Sequence, residues 1–168
     1  MRSDGRALPD LTQTLVLRHL GLIRTDQLPD LAARWLAADM TDSPSTRMLA
    51  GHNPNDPWGL DQLLAEAAAE TGTTAPTGPA SLQGIAVEWV TATWRDNHDT
   101  RAAVATLARL GETYPDFDLG LFIGLDDEWN GGWGRLEPEL KAAAEQEIAH
   151  ILKAPLSFAS TVEALASR

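Results

Sequence analysis

Apolar positions along this chain recur at intervals of three, four and seven, with polar and charged residues between them. That period predicts amphipathic helices, because side chains three and four apart share a helix face, whereas a half-buried strand alternates at every second residue. Leu11, Leu15 and Leu22 lie on such a stripe, and Gly21 is placed to end the helix. Leu28, Leu31, Ala32, Trp35 and Leu36 form a second and stronger stripe, with Thr25 or Asp26 as the expected cap. Ser43-Pro44 predicts a short helix closing at Gly51. Asp56-Pro57 predicts a longer one, carrying Leu60, Leu63, Leu64, Ala67 and Ala68 and closing at Gly72. Proline suits the first helical turn because those amides have no intrahelical acceptor.

TGTTAPTGPA, residues 71–80, reads as a linker, so a subdomain break is expected near 72–81. Beyond it, Ile85, Trp89 and Val90 predict one buried face before a break at Asp96-Asn97-His98-Asp99. Asp99 should cap a helix running to Leu110 and ended by Gly111. FDLGLFIGL, residues 117–125, is short and mostly apolar, compatible with helix or buried strand, and helix is the preferred reading. Glu137-Pro138 opens a long helix with Leu140, Ala144, Ile148, Ile151 and Leu152, which Pro155 should end. Ser160 and Glu163 then have capping-box spacing. Trp35, Trp89 and Trp94 fall inside these helices and are expected in the core. The expected fold is all-α: a single-domain bundle of roughly seven to nine short helices.

Composition agrees with a folded chain, since 43% hydrophobic and 22% charged residues are close to globular averages. There is no apolar run of the roughly 20 residues that a membrane helix needs, and MRSDGRALPD lacks the apolar stretch of a secretory signal. A cytoplasmic location is the resulting expectation. The absence of cysteine removes disulfides, thiol catalysis and thiolate metal sites. A net charge of -11 disfavours nucleic acid and anionic membranes, which carry the same sign, and favours a basic protein partner. Between Glu112 and Glu147 ten acids meet two bases, Arg135 and Lys141, so this window carries -8 of the total.

Sequence signatures of catalysis are sparse. GxSxG, GxxxxGK, HExxH and GxGxxG are all missing. Glu147 and His150 make one ExxH on a predicted helix, but a di-iron bundle needs a second. His19, His52 and His98 stand in separate segments.

The stretch DDEWNGGWGRLE, residues 126–137, comes closest to a chemical device. It resembles an EF-hand loop: Asp126, Glu128 and Asn130 hold the first, third and fifth positions, Gly131 the sixth, Trp133 the eighth and Glu137 the twelfth. That resemblance implies calcium bound by Asp126, Glu128, Asn130 and Glu137. It departs from the pattern at Glu128, where aspartate or asparagine is usual, at Pro138, and at Lys141, Ala142 and Glu145, where the exiting helix should be apolar. There is also no second loop to pair with it. Two other readings stay open: a plain turn between helices anchored by Trp129 and Trp133, and a recognition surface. Tryptophan beside carboxylates suits an arginine-bearing partner, and Asp126, Asp127, Glu128, Trp129, Trp133 and Trp58 are the candidate contact residues.

AARWLAADMTDSPSTRMLAG and FIGLDDEW resemble a group of small, alanine-rich helical proteins of high-GC actinobacteria. The resemblance implies a helical fold and brings no site residues. The function expected from these features is non-catalytic protein binding, as an inhibitor or immunity-type protein that masks a basic surface. A calcium-binding module and a helical enzyme with an unrecognised site are the alternatives.

Overall fold

The structure, a computed structural model, describes residues 8–153. Among these residues the chain forms eight α-helices and one 3-10 turn, with no strand. It divides at the Thr77–Gly78 bond into two compact units.

The unit before that bond holds α1 (Leu11–His19), a 3-10 turn (Thr25–Gln27), α2 (Leu28–Ala37), α3 (Pro44–Ala50) and α4 (Pro57–Thr71). Asp10 opens α1 by accepting a hydrogen bond from the Gln13 amide, while the Gln13 side chain accepts from the Asp10 amide. Gly21, at φ 69°, turns the chain away in the left-handed region that suits glycine. α2 begins differently from the expected cap. Asp26 pairs with Arg24, Gln27 accepts from the Arg24 amide, and the 3-10 turn leads directly into Leu28-Pro29. Leu28, Leu31, Ala32 and Trp35 are buried as the stripe requires, whereas Leu36 lies at its edge and is half-buried. Trp35 is the largest fully buried side chain of this core, and its indole N–H donates to the Pro9 carbonyl at 2.7 Å. Ser43 and Asp56 cap α3 and α4 through the amides of Thr46 and Gly59, and Gly51 and Gly72 close them.

The second unit holds α5 (Pro79–Asn97), α6 (Thr100–Thr113), α7 (Gly120–Gly131) and α8 (Glu137–Lys153). α5 starts inside the linker-like stretch, with Pro79 in its first turn. Its buried face is Ala86, Val87, Val90 and Thr91, so the expected face moves by one position and leaves Ile85 and Trp89 half-buried. His98 ends α5 in the left-handed region at φ 56°, and Asp99 caps α6 through the Ala102 amide. Thr100 is buried; its hydroxyl donates to Glu145 at 3.0 Å and accepts from the half-buried Trp94 at 3.2 Å, tying α5, α6 and α8 together.

Gly111 does not end α6. It is buried within the helix, where an added Cβ would lie 3.1 Å from the Leu119 Cβ and 3.3 Å from the Ile123 Cδ1. The small residue lets α7 pack closely. FDLGLFIGL resolves accordingly: Phe117 and Leu119 are buried ahead of α7, and Phe122 and Leu125 carry its core face. Leu140, Ala144 and Ile148 bury α8, and Ile151 is half-buried. Pro155, Ser160 and Glu163 lie outside the described residues, as does the side chain of Leu152. No helix among the described residues is long and apolar enough to cross a membrane.

Candidate functional site

The end of α7 and the loop into α8 are built by one carboxylate and three glycines. Glu128 is buried, and its Oε1 accepts from the Arg135 amide at 2.6 Å while its Oε2 accepts from Arg135 Nη2 at 2.6 Å. One side chain therefore binds both the backbone and the guanidinium of a residue seven positions later, closing the loop on itself. Hydrogen bonds from the Arg135 side chain and amide hold the Glu128 carboxyl down at about 2, well below its ordinary range, and raise the Arg135 pKa in turn.

Each glycine in the loop has a separate reason. Gly132 (φ 63°) and Gly134 (φ 89°) take left-handed conformations that strain other residues. A Cβ on Gly134 would also strike the Glu128 carboxylate. A Cβ on Gly131 would collide with Trp133 Nε1 and Cδ1, so the indole folds back over the last turn of α7. The result is a large aromatic ring held 62% exposed. Leu136 next to it is 72% exposed.

The structure separates the candidate residues into different roles. Asp126 is half-buried and accepts from Asn130 Nδ2 at 2.9 Å. Asp127 is exposed and has no ion pair among the described residues. Glu128 is engaged by Arg135. Trp129 is half-buried, its indole nitrogen is buried without a hydrogen-bond partner, and the Arg101 guanidinium lies 5.8 Å from its ring centroid. Arg101 also donates to Asn130 at 3.1 Å. Trp58 belongs to the other unit, where it is 76% exposed at the start of α4.

The four oxygen-bearing residues of the EF-hand pattern are not gathered into one cluster. Residues 126–131, expected to loop, continue α7 as helix. Asp126 and Asn130 therefore share one face while Glu128 points to the opposite side. Glu137 is exposed at the start of α8. Among the described residues no three His, Asp or Glu side chains are grouped so as to hold a metal ion, and the Glu147–His150 pair gains no further ligand.

Sequence reasoning missed Arg135 and Arg101. The cue for Arg135 was present in the glycines at 132 and 134, which mark a loop tight enough for residue 135 to return to residue 128. Arg101 lies 29 positions before Asn130, and no local pattern signals that contact.

No family model, curated protein or solved structure matches this chain. The class it belongs to is that of small all-helical proteins, and the resemblance carried by AARWLAADMTDSPSTRMLAG and FIGLDDEW reaches no further than that.

Proposed function

We propose that the chain is a non-catalytic recognition protein, an inhibitor or immunity-type module that masks a basic surface of a partner such as a toxin or nuclease. The carrying observation is Trp133, an indole kept exposed by a loop that Glu128, Arg135 and three glycines pre-shape. Exposing so large an apolar ring is unfavourable in isolation, and aromatic anchors held ready in this way lose little entropy on binding. Asp127 and Glu137 lie exposed nearby in sequence, in a unit where thirteen acids face six bases between 78 and 153. Such a surface steers a basic partner and accelerates encounter. Asp127 and Trp133 are the contact residues of this reading, while Glu128 acts as the support beneath them.

The test is binding kinetics at two ionic strengths, against a basic partner first captured by cross-linking. Asp127→Lys should slow association and flatten its salt dependence, because rim charges act on encounter. Trp133→Ala should speed dissociation and cost on the order of 2 kcal/mol or more. If both rates stay unchanged in folded variants, the loop is only a helix connection and the reading fails.

A further inference from the structure

We infer that Leu136 is a second anchor beside Trp133 and receives an apolar side chain flanked by basic residues of the partner, a step that rests on the recognition reading above and names what its surface takes. A leucine 72% exposed is ordinary by itself, since much of any protein surface is apolar. Its place in the chain is not. α8 starts at Glu137, so Leu136 is the residue that caps it, and the Leu136 carbonyl accepts from the Leu140 amide at 2.9 Å. Oxygen-bearing side chains are strongly favoured at this position, and leucine is among the poorest choices because it leaves the first amides without a side-chain acceptor.

The other described helices follow that preference or have a reason to depart from it. Asp10, Ser43, Asp56 and Asp99 cap α1, α3, α4 and α6 through side-chain oxygens. Gly78, before α5, is itself a tolerated cap, and α2 continues directly from the 3-10 turn. Leu119 stands at the cap of α7, but it is 1% exposed and belongs to the core. Leu136 has no such burial. Glu139 already holds the third helical position, so Leu136→Ser would complete a capping box. The chain therefore keeps an exposed apolar group where helix stability favours a polar one. The backbone on either side holds that group in place: the Arg135 amide is bonded to Glu128, and Leu140, whose amide meets the Leu136 carbonyl, is buried. Trp133 lies three residues earlier, so the two α-carbons are at most about 11 Å apart, within reach of one segment of a partner. Charge selects the occupant. Glu137 and Glu139 follow Leu136 and Asp127 precedes the loop; all three are exposed, and the Arg135 guanidinium is bound to Glu128. A second copy would set these acids against their own kind, whereas apolar side chains flanked by arginine or lysine complement both parts of the surface.

The experiment uses the full chain and three synthetic peptides of equal length, with calorimetry: an arginine-rich peptide bearing leucines, a twin with serine for leucine, and a twin with glutamate for arginine. The first should bind, the serine twin should bind about tenfold or more weakly, and the glutamate twin should not bind. Leu136→Ser should weaken the first peptide by about tenfold and yet raise the Tm by about 4–8 °C, as a restored cap does in a unit of this size. A structural role for the leucine would move the Tm the other way, so a Tm that fails to rise would overturn the inference. Unchanged binding by Leu136→Ser, equal affinity for the serine twin, or failure of every peptide to bind would overturn it too. The recognition reading survives those results if Trp133→Ala still speeds dissociation of the cross-linked basic partner, and if Trp133→Ala is silent as well, both fail. Concentration-dependent dimers lost in Leu136→Ser would assign the surface to a second copy and refute the inference.

Discussion

Replacing Gly124 and Gly111 separately by alanine sets helix propensity against packing within one unit. Both positions lie inside helices, so each alanine removes the same conformational freedom from the unfolded chain and gains about 0.5–1 kcal/mol. At Gly124 nothing lies within 4 Å of the new methyl group, so this gain should appear in full. For a unit of this size it corresponds to a rise in Tm of about 2–8 °C. At Gly111 the methyl group would sit 3.1 Å from the Leu119 Cβ and 3.4 Å from the Leu119 carbonyl oxygen. Neither atom can rotate aside, because both are fixed to the backbone that leads into α7. Overpacking of this kind costs about 1–3 kcal/mol, so Gly111→Ala should be neutral to destabilising by about 2 kcal/mol. The difference between the two variants cancels propensity and isolates the α6–α7 contact, at about 1–3 kcal/mol. Thermal unfolding followed by far-ultraviolet circular dichroism measures it. Equal upward shifts in both variants would refute the close approach at Gly111, and a lower Tm for Gly124→Ala would refute the openness of the α7 face.

Trp35→Ala should cost about 3–5 kcal/mol, since it empties a fully buried site and leaves the Pro9 carbonyl without its donor, and urea unfolding of residues 8–77 should show it. The Glu128 clasp should respond to acid with a definite sign. Its carboxyl is held at about 2 in the folded loop against an ordinary 4.5, so its contribution is complete above 4.5 and disappears as pH falls towards about 2. Proteolysis by pepsin between Gly131 and Leu136 should therefore accelerate across that range in the native chain, and Glu128→Gln should be cleaved quickly throughout it.

Helices whose signals are local were legible in the sequence. Ser43-Pro44, Asp56-Pro57 and Asp99 each place an oxygen where the first free amides need it, and the structure uses all three. Glycine was less readable, because one residue serves opposite purposes: Gly72 ends a helix, while Gly111 permits a contact inside one. The distinction depends on Leu119 and Ile123, which belong to the next helix. The α7–α8 loop was misplaced for a related reason. Local composition around Asp126 to Gly131 favours a turn, but the burial of Phe122, Leu125 and Glu128 along one face keeps the helix going. Trp58 and Trp133, named from the sequence as contact residues, are both exposed, whereas the different fates of Asp126, Asp127 and Glu128 depended on Asn130 and Arg135.

The ion pairs of the first unit have a consequence for how the protein responds to its solvent. Arg18, Arg24, Arg34 and Arg47, the arginines between residues 8 and 77, each meet a carboxylate of the same unit: Asp61, Asp26, Asp30 and Asp42. In the second unit Glu112, Asp116, Asp127 and Glu137 face water with no such pairing among the described residues. Dissolved ions at physiological strength shorten electrostatic reach to about 8 Å. In the first unit that screening weakens attraction between opposite charges. Among the unpaired acids of the second it quiets repulsion between like ones. A rise in potassium concentration thus acts on the four arginine pairs of the first unit by loosening them slightly and on the unpaired acids of the second by easing their crowding.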